Sequence, residues 1–187
     1  MEIRRKAYES LLRSRLALVV VEIPEDKATL GSEYPYCDSL QLVMMALFFV
    51  VWALDSFVFG YSTILAELVL LPLRLFLAAL SLGVGAYLGA KSHEVIFGEE
   101  RDRPVLIDSG VYSRVRHPLY LGILMFCLGF FFAIPSLLSL AVWVAFFILY
   151  DRMAAYEEND LVRVLGEKYT AYQKRVPKWL MRLRTKS

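Results

Sequence analysis

The uncharged run PLYLGILMFCLGFFFAIPSLLSLAVWVAFFILY, from Pro118 to Tyr150, decides the architecture. It holds 33 residues, and as one helix it would reach about 50 Å against a hydrocarbon core of about 30 Å. Pro135-Ser136 lies near its middle, and a proline interrupts a helix but opens a new one readily. The run therefore predicts a helical hairpin, Pro118–Ala133 followed by Ser136–Tyr150, with a tight turn between two membrane spans.

Working outward, Ser39–Leu54 and Leu75–Ala90 are the other long uncharged blocks, which makes four spans. Each is shorter than the roughly 20 residues usual for a crossing. The first is expected to continue through Asp55 to about Phe59, and the second to begin near Glu67 and include Arg74. Intramembrane charges are costly unless paired. Glu67 and Arg74, seven apart, would share one helix face, and Asp55 could meet Arg74 across the bundle in a structural ion pair. Ala79, Gly83, Gly85 and Gly89 recur in the second span at a spacing that permits close helix approach.

Composition agrees: 58% of the 187 residues are hydrophobic and 14% aromatic, against about 45–50% apolar usage in soluble domains. The predicted fold is all-α, a single polytopic membrane bundle. It comprises an N-terminal segment 1–38, two transmembrane helices in 39–90, and a loop, hairpin and C-terminal helix in 91–187. A net charge of +2 excludes the basic excess expected of a nucleic-acid binder. Cys37 and Cys127 are isolated, with no metal-site or disulfide spacing.

Lysine and arginine number six in Met1–Asp38, five in Lys91–His117 and nine from Asp151 onward, with none in Gly60–Leu71 or the Pro135 turn. With four spans the three basic segments share one side, and the positive-inside rule makes it cytoplasmic, together with both termini. Met1–Arg15 precedes only a short apolar run, Leu16–Val21, with no small-residue cleavage site, so no cleaved signal peptide is expected. Its mixture of leucines and basic residues suits an amphipathic helix in the membrane interface.

Two stretches carry candidate chemistry. Between Leu106 and Gly122, Asp108-Ser109-Gly110 signals a turn, and Pro118 holds His117 out of the helix that it opens. The N–H groups of Leu119 to Leu121 then lack intrahelical partners at the positive end of the helix dipole, so with Arg114 and Arg116 nearby the place can hold an anion. The alternative is that Arg114, Arg116 and His117 only mark the membrane interface. After the last span, Leu161, Leu165, Tyr169 and Tyr172 repeat at helical spacing and predict an amphipathic cytoplasmic helix. Glu157, four residues before Leu161, points to its packed side, where it would meet a ligand cation or serve only as a dipole partner. Trp179, beside lysine, reads as an interfacial anchor.

In order and spacing these stretches resemble the C-terminal signature of the isoprenylcysteine carboxyl methyltransferase and phospholipid methyltransferase group. The matching pieces are Gly110-Val111-Tyr112, Arg116-His117-Pro118-Leu119-Tyr120, Glu157-Glu158, Gly166 to Tyr172 and Val176-Pro177. The resemblance covers about Leu106–Trp179; the first 100 residues match only in being membrane-spanning. It implies a membrane methyltransferase that binds S-adenosylmethionine and takes a lipophilic or small acceptor from the lipid bilayer. By position, the family's cofactor contacts would fall on Pro104, Val105, Leu106, Ile107, Tyr112, His117, Pro118, Leu119, Tyr120 and Glu157. His117 and the helix N-terminus suit the methionyl carboxylate, and Glu157 the ammonium. Arg152 and Glu158 are the candidate catalytic pair, Tyr120 is a third candidate for handling an acceptor proton, and no metal is expected.

The isoprenylcysteine enzymes hold their substrate carboxylate with an arginine four residues before the glutamate that matches Glu157. That position is Met153 here, and the neighbouring Arg152 would replace it only if the helix were rotated. Competing readings are an NADPH-dependent membrane reductase resembling sterol reductases, and a non-catalytic membrane bundle.

Overall fold

The computed structural model describes residues 37–97 and 106–180, all helix and connecting turns, with no strand among them. Six helices follow in order: α1 (Cys37–Leu54), α2 (Leu65–Leu68), α3 (Leu71–Phe97), α4 (Pro118–Ala133), α5 (Leu137–Leu165) and α6 (Glu167–Arg175). A π-turn, Asp55–Phe59, continues α1, and a 3-10 turn, Gly110–Ser113, precedes α4. Ser39–Phe59, Leu71–Val95 and Leu137–Leu165 are long and apolar enough to cross a membrane, and Pro118–Ala133 is a shorter apolar helix. The chain is thus an integral membrane helical bundle. The expected N-terminal interfacial helix, and Pro104 and Val105, lie outside the described residues.

The hairpin forms where the sequence places it. Ile134 is extended (φ −133°, ψ 98°) after α4, and the Ser136 side chain caps α5 by accepting from Ser139 N at 3.1 Å. The continuation differs from expectation: α5 runs 15 residues past Tyr150, because charged residues leaving an apolar span do not end a helix. It stops only at Gly166, whose φ of +58° is left-handed. Leu161 and Leu165 therefore sit on α5, and Tyr169 and Tyr172 on α6. The two pairs still pack together, with Leu106, Val162 and Val176.

The second span also differs. Val69 is extended (φ −100°, ψ 128°), which leaves Glu67 on the single turn of α2, and α3 starts at Leu71 with Pro72 in its first turn. Glu67 and Arg74 thus do not share a helix. Asp55, buried in the π-turn, does not pair with Arg74. It accepts from Ser62 N at 3.2 Å, from Ser62 Oγ and from Ser136 Oγ at 2.7 Å. Ser62 in turn accepts from Leu137 N at 3.1 Å and Leu138 N at 3.0 Å, while Arg74 Nη1 donates to Ala133 O at 3.4 Å and Trp52 Nε1 to Ile134 O at 3.1 Å. These bonds satisfy backbone and side-chain polar groups at this end of the bundle.

Close packing joins α3 to α4. A Cβ on Gly85 would stand 2.8 Å from Gly122 O and 2.8 Å from Phe126 N, and one on Gly122 would stand 3.1 Å from Gly85 O. This is the small-residue contact that the spacing in the second span predicts, although Gly83 and Gly89 themselves have open space around their Cβ positions. Between α1, α4 and α5 lies a core of Phe48, Tyr120, Leu124, Cys127, Phe146, Tyr150, Met153 and Ala154. Phe49 and Phe130 meet edge-on at 4.9 Å, each such aromatic pair being worth about 0.5–1.5 kcal/mol.

Candidate active site

The site forms where the start of α4 meets the lower half of α5 and the chain after α6. His117 takes φ −119° and ψ 66°, and Pro118 opens α4. Both are buried, and the first-turn N–H groups of Leu119 and Tyr120 have no intrahelical acceptor. Three rings continue inward: His117 stacks on Tyr120 at 5.7 Å, and Tyr120 on Tyr150 at 4.5 Å.

Two neighbouring carboxylates on α5 face this mouth in different ways. Glu157, partly buried, accepts a hydrogen bond from the Tyr120 hydroxyl, and its Oε2 lies 3.6 Å from His117 Nδ1, beyond hydrogen-bond range. Glu158 is more deeply held. Its Oε1 meets Arg116 Nε at 2.8 Å and His117 Nε2 at 2.9 Å. Its Oε2 accepts from Arg116 Nη2 at 3.2 Å and Gln173 Nε2 at 3.0 Å. An ionised carboxylate only accepts, so the hydrogen between His117 and Glu158 sits on Nε2, which fixes the ring's orientation.

The chain end closes over this cluster. Arg116 Nη1 donates to Gln173 O and Val176 O, both at 2.9 Å, and Arg116 N to Pro177 O at 3.0 Å. Trp179 lies 6.0 Å from the His117 ring and 5.3 Å from Phe147. Lys178 Nζ and Trp179 Nε1 both reach Asp151 Oδ1, at 2.6 and 2.8 Å. Tyr172 OH donates to Tyr112 O at 2.7 Å. Burial pushes the Tyr112 hydroxyl up to about 12, with the charge of Glu157 adding to the effect. Burial likewise raises Tyr169 and Tyr172.

Of the residues expected from the sequence, His117, Pro118, Tyr120, Glu157 and Glu158 converge here. Tyr112 and Leu106 border the cluster through Tyr172 and the α6 packing, and Ile107 and Leu119 are half-buried. Arg152 is exposed on α5 and makes no hydrogen bond into the group among the described contacts, while Met153, fully buried, takes the inward position. Sequence reasoning missed Gln173, Asp151 and Lys178, which no motif marks. It read Arg116 as part of an anion site or else as an interface marker, and Trp179 as an interfacial anchor. The adjacency of Arg116 to His117 was the one available signal.

The fold and this cluster define a membrane helical bundle with a polar cluster where the α4 mouth meets the paired α5 carboxylates. Residues 71–168 match the phospholipid methyltransferase family, and the chain belongs to it. It is 31% identical over 182 residues to the methanethiol S-methyltransferase of Pseudomonas deceptionensis, covering 88% of this chain and 63% of that protein. It is 34% identical over 94 residues to the protein-S-isoprenylcysteine O-methyltransferase of Homo sapiens, covering 48% of this chain and 32% of the other. The Schizosaccharomyces pombe protein of the same name is 34% identical over 91 residues, 46% of this chain and 36% of that one. The chain thus spans between 32% and 63% of the length of these relatives. No solved structure matches it.

Proposed function

We propose that the protein transfers a methyl group from S-adenosylmethionine to a lipophilic or small acceptor at the membrane. The observation that carries this reading is the Glu157 carboxylate, oriented by Tyr120 beside His117 at the open N-terminus of α4. An amino-acid zwitterion needs an anion and a set of donors side by side, and this donor set fits. Glu157 suits the ammonium, while the Leu119 and Tyr120 N–H groups at the positive helix end suit the carboxylate. In this reading Leu106, Ile107, Tyr112 and Pro118 would supply apolar and aromatic wall; Pro104 and Val105, the other expected contacts, lie outside the described residues.

When bound, the cofactor supplies an electrophilic methyl group on a sulfonium. The chain's own contribution is positioning and the exclusion of water. Both oxygens of Glu158 are occupied, so we assign it to orienting His117 and not to taking a proton. Arg152 faces outward, and we give it no part in the reaction.

Four spans, with α4 as the third, and a cytoplasmic site follow from the same reading. The basic segments support that orientation. The 16 residues of α4 reach about 24 Å, short of a hydrocarbon core of about 30 Å. In this reading His117 lies below the headgroups, where an acceptor dissolved in the bilayer would arrive laterally. The inward position of Met153 favours an acceptor without a carboxylate, and a thiol, as in the name of the Pseudomonas relative, is one such group.

Calorimetric titration of the detergent-purified protein with S-adenosylhomocysteine tests the reading. Binding by the wild type, lost in folded His117→Ala and Glu157→Ala variants, supports it. A folded wild type that ignores S-adenosylhomocysteine but takes NADPH overturns it in favour of a reductase; binding of neither leaves a non-catalytic bundle.

A further inference from the structure

Arg116 ties α5, the end of α6 and the segment after it together. Its Nε and Nη2 bond Glu158 on α5, its Nη1 bonds the last carbonyls around the end of α6, and its backbone N–H donates to Pro177. We propose that Arg116 is a positioning residue, which latches the strap Val176–Trp179 across the mouth of α4 and, through Glu158, holds the His117 ring in place. This rests on the cofactor reading above for what the mouth contains.

The chemistry of the guanidinium supports the assignment. Its planar fork presents donors in fixed directions, and here they serve one carboxylate edge-on and two carbonyls together. So employed, Arg116 offers no free fork to a ligand anion, and the anion-binding share that its position suggested falls to the α4 N–H groups. The strap is fastened again at its far end, where Lys178 and Trp179 hold Asp151. At the far fastening the Trp179 ring lies 6.0 Å from that of His117. Closing the strap and ordering the imidazole are therefore one event. Trp179 packs on the edge of the bundle core, but the bonds of Arg116 to Glu158 and to the end of α6 lie outside that core, so loosening the latch leaves the core standing.

A lysine at 116 keeps the charge and loses the fork. Arg116→Lys, with a thermal unfolding midpoint close to wild type, should bind S-adenosylhomocysteine about tenfold more weakly, the equivalent of one charge-assisted hydrogen bond. Its chain should be cut faster by trypsin after Arg175, and saturating S-adenosylhomocysteine should slow that cut, because strap closure and cofactor binding are linked. A folded Arg116→Lys protein with wild-type affinity, or with cleavage indifferent to the cofactor analogue, overturns the latch. If Arg116→Lys fails to fold, Asp151→Asn, which frees the far end of the strap, carries the same two readouts. A wild type that does not bind S-adenosylhomocysteine overturns the proposed activity, and the cleavage rates then decide the latch alone: faster in the variant upholds it, equal sinks it.

Discussion

The Tyr120 hydroxyl donates to the Glu157 carboxylate, and this bond joins the first turn of α4 to α5 across 37 positions of sequence. Glu157 does not choose its own direction; Tyr120 aims it, while the Tyr120 ring is clamped between His117 and Tyr150.

Tyr120→Phe should therefore keep the stack and lose the aim. A hydrogen bond to a charged group is worth about 1.5–3 kcal/mol. Calorimetry should find S-adenosylhomocysteine affinity reduced by about tenfold or more, with the unfolding midpoint nearly unchanged.

Removing Glu158 is expected to act on stability first. The Arg116 and Glu158 side chains are 12% and 10% exposed, so Glu158→Ala leaves a mostly buried guanidinium without its carboxylate. Breaking such a pair costs about 3–5 kcal/mol, which reversible unfolding in mixed micelles would read. Arg152→Ala, altering an exposed residue outside the cluster, should stay within about 0.5 kcal/mol of wild type in the same measurement.

Gly85 and Gly83 lie two residues apart on α3 and should respond oppositely to the same methyl group. Gly85→Ala forces backbone atoms of α4 away from 2.8 Å contacts and should cost about 1–3 kcal/mol. Gly83→Ala meets nothing within 4 Å, and the better helix propensity of alanine should make it neutral or stabilising by up to about 1 kcal/mol.

Alkali should weaken the strap side of the molecule. The hydroxyl of Tyr112 is raised by burial from its ordinary 10.0 to about 12, and Tyr169 and Tyr172 are raised in the same direction. A group with a higher pKa folded than unfolded binds its proton more tightly in the native state. Its stabilising effect is whole below pH 10 and is lost as the pH climbs through about 12. Tyrosinate absorbance should accordingly lag behind that of the denatured chain between those values, and the triple variant with phenylalanine at 112, 169 and 172 should show a smaller lag.

Much of the bundle was legible because lipid imposes simple rules on a sequence. The 33-residue uncharged run with Pro135-Ser136 inside it could only double back, and His117-Pro118 could only stand at a helix start. The end of α5 was not legible, since charge along Asp151–Asp160 marks the departure from the apolar layer and says nothing about where helical hydrogen bonding stops; Gly166 does that. The partner of Asp55 escaped for another reason. Two serines offer three donors to a carboxylate as well as an arginine does, and serines in apolar helices carry no distinctive pattern. At the site, Glu157 and His117 stood out by motif, whereas Gln173 and Asp151 matter only through contacts that α6 and the strap create after folding.

The knot of Asp55, Ser62 and Ser136 lies at the far end of α4 from His117. It ties the end of α1 to the turn between α4 and α5. That end serves as a fulcrum. Any spreading of α4 from α5 would be smallest at Ser136 and largest beside Tyr120 and Glu157, where it must first break the bonds that Tyr120, His117 and Arg116 make to the two α5 carboxylates.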